Sequence, residues 1–263
     1  ALSDLVNSLD SVDGPMAWDT VEALAQACRV TGLGAAAATP CYAPMSLLST
    51  MRRVRQTLGV DAMRDVIRVL RLPNLPSGLS ADALEGIAVF ARQIRGGTGA
   101  LTPIGRMARI VGDVLADVPP ARQQEVLNNL FTWIKQGEAV LGKTPGWSRF
   151  LRGGPGTLPG VSTSGAYHVL DYLANKGGWQ AVEKLEVTIG NRRIDAFLKS
   201  GKKVELKNLA AGSPFTFGHQ VTKDIQIAKE RAVQQYAETD PLFRQAFIDE
   251  LSKLEYVFRG TAS

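Results

Sequence analysis

The segment Gly153-Gly154-Pro155-Gly156-Thr157-Leu158-Pro159-Gly160 divides the chain, because the apolar pattern has a different period on either side of it. Glycine adds backbone freedom and proline removes a donor, so this stretch favours neither helix nor strand and reads as a linker. Before it, apolar residues recur at i, i+3 and i+4 through Trp18–Val30, Met45–Leu58, Asp61–Leu70, Ser80–Ile94, Pro103–Leu115 and Pro120–Leu141. That spacing predicts helices. Thr20, Asp61 and Ser80 stand where helix starts are expected, Pro120 suits a first turn, and Gly142 follows a last one. A chain of 263 residues can bury two modest cores. The predicted organisation is an all-α domain over 1–152, a linker over 153–160, and an α+β domain over 161–263.

The second half carries the chemistry. A helix is expected from Ser164 to Lys176, closed by Gly177-Gly178. Short strands follow at Leu185–Ile189, Arg193–Leu198 and Lys202–Leu206, then helices at His219–Thr239 and Pro241–Lys253, and a strand at Leu254–Phe258. The middle hairpin is the most specific part. Ile194, Ala196 and Leu198 alternate with Asp195 and Phe197, and Val204 and Leu206 alternate with Lys203, Glu205 and Lys207. Lys199-Ser200-Gly201 suits a three-residue loop with glycine at its last position. Such a loop pairs Leu198 with Lys202 and sets Asp195 opposite Glu205, about 5 Å apart at Cβ. A two-residue loop would slip the register and turn Asp195 to the other face.

Two carboxylates that close repel unless a cation lies between them, and Mg²⁺ takes a few carboxylates plus water and phosphate oxygens. Lys207, two residues along the same face, could orient a nucleophilic water or balance charge on a phosphate. The pattern therefore suits phosphodiester hydrolysis. So short a motif also fits a solvated hairpin face. The Gly201 turn and the apolar opposite face of the strand favour the chemical reading.

Asp195, then Glu205-x-Lys207 running into Asn208, resembles the core of the PD-(D/E)xK, or restriction-endonuclease-like, nuclease superfamily. It is most similar to the branch that ends bacterial polymorphic and contact-dependent growth inhibition toxins. The likeness covers about the last hundred residues. It implies a mixed β-sheet flanked by helices, with Asp195, Glu205 and Lys207 catalytic and Asp195 and Glu205 holding Mg²⁺, or alternatively Mn²⁺ or Zn²⁺. Glu186, on the preceding strand, is a further candidate ligand. His219-Gln220-Val221-Thr222-Lys223 resembles the Gln-x-x-Lys helix that follows the core in that family, which makes Gln220 and Lys223 candidate substrate contacts. Lys203 joins them as part of a local basic patch with Arg192, Arg193 and Lys202.

The resemblance also implies partners and place: a DNA or tRNA substrate, DNA slightly preferred; a cognate immunity protein; and a helical delivery domain for passage into the cytoplasm, with an inner-membrane receptor. The chain would then be part of a larger secreted or surface-presented toxin acting inside a target bacterium. The alternative is a non-catalytic module binding nucleic acid or protein on the same fold. Net charge decides little, since the +5 is spread: from Val161 onward 14 Lys and Arg face 12 Asp and Glu. No run of eighteen apolar residues occurs, so no transmembrane segment is expected. Cys28 and Cys41 lack a histidine partner nearby and read either as two reduced thiols or as one disulfide. His168 and Asp171 on the first helix, and His219, are weaker candidates. Phe215 and Phe217 suit either base stacking or the core edge.

Overall fold

The computed structural model describes residues 43–70, 72, 75, 79–95, 103–116, 118–152, 163–189, 192–209 and 218–260. Cys28, Cys41, the stretch expected as a linker, Phe215 and Phe217 lie outside them. The chain is mixed α and β. Two compact units are present: one of Ala1–Ala139 with Leu151–Thr163, and one of Val140–Phe150 with Ser164–Ser263.

In the first unit the described residues form helices at the predicted places. These are α1 (Ala43–Leu58), α2 (Val60–Leu70), α3 (Ala81–Arg95), α4 (Pro103–Ala116) and α5 (Pro120–Leu141). Ser80 caps α3, its Oγ accepting from the N–H of Ala83 at 3.1 Å, and Pro120 opens α5, where its missing N–H costs nothing. The core is apolar, with Val54, Val66, Ile87, Leu127 and Phe131 at 0% exposure or close to it. Gly86 marks the closest approach of α3 to α5: a Cβ there would lie 1.8 Å from the carbonyl oxygen of Phe131. Charges sit at the rim, where Lys135 bridges Asp82 and Glu85 and Glu138 accepts from Arg92 and Gln93.

The second unit opens with a short helix that periodicity did not reveal, α6 (Trp147–Arg152). Trp147, fully buried, packs edge-on against Trp179 with ring centres 6.4 Å apart. The turn before it is tied to the sheet, the N–H of Leu185 donating to the carbonyl of Pro145 at 3.0 Å. Gly146, at φ +91°, lets the two backbones meet there, since a Cβ would fall 1.9 Å from the carbonyl oxygen of Leu185. Next, α7 (Thr163–Tyr172) winds its last residues, Leu173–Gly177, as a π turn.

The strands are β1 (Val182–Ile189), β2 (Arg192–Leu198), β3 (Lys203–Leu209) and β4 (Leu254–Gly260), with α8 (Gly218–Gln235) and α9 (Phe243–Ser252) between β3 and β4. They form one sheet in the order β1-β2-β3-β4, antiparallel through β3 and parallel between β3 and β4. The parallel pair needs a crossover, which α8 and α9 supply. Among the described residues, no helix is long and apolar enough to cross a membrane.

Candidate active site

The β2–β3 hairpin has the loop expected of it. Leu198 N–H donates to the carbonyl of Lys202 and Gly201 N–H to the carbonyl of Leu198, both at 2.8 Å, with Gly201 at φ +84°. Ala196 pairs with Val204 and Phe197 with Lys203. Continuing that register sets Asp195 opposite Glu205. One step further the N–H of Leu206 donates to Asp195 Oδ2 at 2.7 Å. A side chain thus serves as partner to a strand N–H, as happens where two paired strands begin to separate. Asp195 is half-buried, whereas Glu205 is 3% exposed.

Glu186 occupies the same level of the sheet from the other side. Leu185 pairs with Ala196 and Val187 with Ile194, so Glu186 stands across from Asp195. Its φ of +52° lies in the left-handed region, and it is the non-glycine residue of the described set found there. Strain of that kind concentrates at functional sites. Even so, no three His, Cys, Asp or Glu side chains among the described residues are placed to hold one ion together. Extending the two registers sets Glu186, Asp195 and Glu205 at one level of β1, β2 and β3, and carboxylate oxygens are the donor type that Mg²⁺ takes. Lys207 continues β3 on the Glu205 face and pairs in register with Phe258; its side chain lies outside the described residues.

Lys203 is placed differently from a substrate contact. It is 7% exposed, and its Nζ bonds Glu250 Oε2 of α9 at 3.1 Å. Burial pushes its ammonium below the ordinary lysine range, partly offset by Glu250. Burial alone would raise Glu250, but its bonds to Lys253 and Lys203 outweigh this and hold it below the usual carboxylate range. Arg231 approaches the same carboxylate at 3.6 Å. Lys203 is thus an internal ion pair fastening β3 to α9.

Gln220 lies in the first turn of α8 and Lys223 one turn on, half-buried; the side chains of Gln220 and His219 lie outside the described residues. His168 is 4% exposed, and Asp171 accepts from Asn175 at 2.8 Å. Pattern reading missed Tyr256 and Asp224. In the parallel register Tyr256 lies beside Glu205, and its hydroxyl donates to Asp224 Oδ2 of α8. Asp224 is 6% exposed on a stripe with Ile227 and Ala228. A carboxylate on the inward stripe of a helix was the available signal.

Comparison with known proteins gives no match: no family model fits the chain, and no curated protein or solved structure is significantly similar to it.

Proposed function

We propose that the second unit is a metal-dependent phosphodiesterase of the restriction-endonuclease-like type, cleaving DNA or tRNA as the toxic part of a larger bacterial protein. One observation supports the reading: β2 and β3 pair at Ala196–Val204 and Phe197–Lys203, a register that, carried one residue further, sets Asp195 opposite Glu205, with Lys207 two residues along β3. Helix, three antiparallel strands, two helices and a parallel strand is also the element order that family would supply. A divalent cation, when bound, would polarise the phosphoryl group and acidify a coordinated water.

The chain's own residues do the rest. Glu205 offers a carboxylate from a buried position, so the site has few waters to reorganise around it. Asp195 accepts the Leu206 N–H through Oδ2, which fixes its carboxylate at the edge of the hairpin. In this reading Lys207 supplies positive charge to balance the phosphate, and Lys223, in the first part of α8, is a second substrate contact. In this reading the helical unit serves delivery and an immunity protein covers the site in the producing cell. A second reading, a binding module without cleavage, draws on the engagement of Asp195 with the backbone N–H of Leu206.

Incubating the chain with plasmid DNA or total tRNA, with Mg²⁺ or EDTA, separates the two. The nuclease reading expects one substrate to be degraded only with metal, and Asp195→Ala and Lys207→Ala each to slow this by about a hundredfold or more. A folded chain that binds either nucleic acid and cuts neither supports the binding module instead.

A further inference from the structure

Tyr256 and Asp224 join the sheet to α8 immediately beside Glu205. Parallel pairing places Tyr256 next to Glu205, so the two side chains leave the same face of the sheet. From that face the Tyr256 hydroxyl reaches Asp224, which is 6% exposed. Asp224, Ile227 and Ala228 belong to the stripe of α8 that meets Lys203 and Glu250 around a cavity of about 20 Å³. A carboxylate in such a place costs several kcal/mol of lost solvation unless it is bonded, and an apolar residue would pack there without that cost. What the carboxylate adds is direction. Apolar contacts let a helix rotate and slide on a sheet, whereas a directional hydrogen bond fixes one rotation and one height. The residue so fixed adjoins Lys223, and Gln220 lies one turn before it on the same stripe.

We propose that Asp224 and Tyr256 are positioning residues, whose hydrogen bond seats α8 so that Lys223 is held at a phosphate bound beside Asp195 and Glu205. The inference rests on the nuclease reading for the place of the phosphate. It adds that α8 is oriented by the strand next to Glu205 and by the Tyr256–Asp224 bond in particular.

The test is a double-mutant cycle read by binding and by cleavage. Binding is followed by fluorescence anisotropy in Ca²⁺, a hard cation that takes carboxylate and phosphate oxygens, with a fluorescein-labelled DNA duplex and a labelled tRNA as probes, and cleavage is followed separately in Mg²⁺. Tyr256→Phe and Lys223→Ala are each expected to weaken binding of the preferred probe about tenfold, the scale of one lost charged contact. The double variant should be no weaker than Lys223→Ala, because the bond acts through that lysine. Asp224→Asn, which keeps an acceptor oxygen for the hydroxyl, should bind within about twofold of the unaltered chain.

Additive losses, near a hundredfold in the double variant, would overturn the proposal, as would unchanged binding by Tyr256→Phe. So would an equal loss in Asp224→Asn, since that would tie the effect to the charge. An unaltered chain that binds but does not cut ends the nuclease reading, and the cycle still decides the role of the bond. One that binds neither probe overturns both.

Discussion

The two units differ in what they bury. Among the described residues of the helical unit, the buried polar side chains are Thr50 and Asp65; in the sheet-containing unit they are His168, Lys203, Glu205, Asp224 and Glu250. Apart from Asp65, paired with Arg95, the first unit holds the charges described here at its rim, in pairs such as Lys135 with Asp82 and Arg92 with Glu138, whose separate contributions are small. The second places charge between the sheet and the helices that cover it, where each group needs a partner. A fold selected for stability alone would favour the first pattern. The buried charge is concentrated around β3, beside the proposed site.

Breaking the buried network should have the largest effect on stability. Glu250→Ala leaves Lys203 buried without its carboxylate and should cost about 4 kcal/mol in denaturant unfolding of the sheet-containing unit. Replacing both partners, as Lys203→Met with Glu250→Leu, should recover most of that loss. Equal losses in the single and double variants would show that the pair does not fasten β3 to α9. The same group sets a pH dependence. Because Glu250 lies below the ordinary carboxylate range when folded, its contribution is present above the unfolded value, about 4.3, and disappears as pH falls through the folded one. Melting curves of the unaltered chain and Glu250→Gln should therefore converge on acidification and separate again toward neutrality.

In the helical unit the corresponding weak point is steric. Gly86→Val forces a branched side chain into the carbonyl of Phe131 and should cost about 3 kcal/mol or more, seen as a lower denaturation midpoint. An unchanged midpoint would mean that α3 and α5 can separate freely.

Two smaller changes sharpen the comparison. Glu186→Gly relieves a left-handed backbone and should stabilise the sheet-containing unit by about 1 kcal/mol while leaving cleavage no faster. Ser80→Ala removes the α3 cap and should cost about 1 kcal/mol with cleavage unaltered.

Local rules made much of this legible. The Gly201 loop is short enough to fix its own register, so the alignment of Asp195 with Glu205 followed from residues within one hairpin. The cap at Ser80 and the start at Pro120 were readable for the same reason. What escaped the sequence is non-local. Lys203 alternates onto the Glu205 face like a solvated lysine, and only the fold shows Glu250 of α9 waiting for it. Tyr256 and Asp224 are joined across a crossover that no spacing rule covers.

Helix α6 is too short for periodicity, and its burial depends on Trp179, which lies beyond α7. Helix α8, expected to reach Thr239, stops at Gln235. The turn that follows is closed by Asp240, which accepts from the N–H of Leu242. The left-handed backbone at Glu186 has no signature at all, because glutamate carries no preference for that region.

The most direct test of the account is one substitution measured twice. Glu205→Gln keeps the shape of the buried side chain and removes its charge, so unfolding free energy and metal-dependent cleavage should respond separately. The account predicts stability within about 1 kcal/mol of the unaltered chain and cleavage slower by about a hundredfold or more. A large loss of stability with cleavage intact would contradict it, and would make Glu205 a structural residue of the sheet.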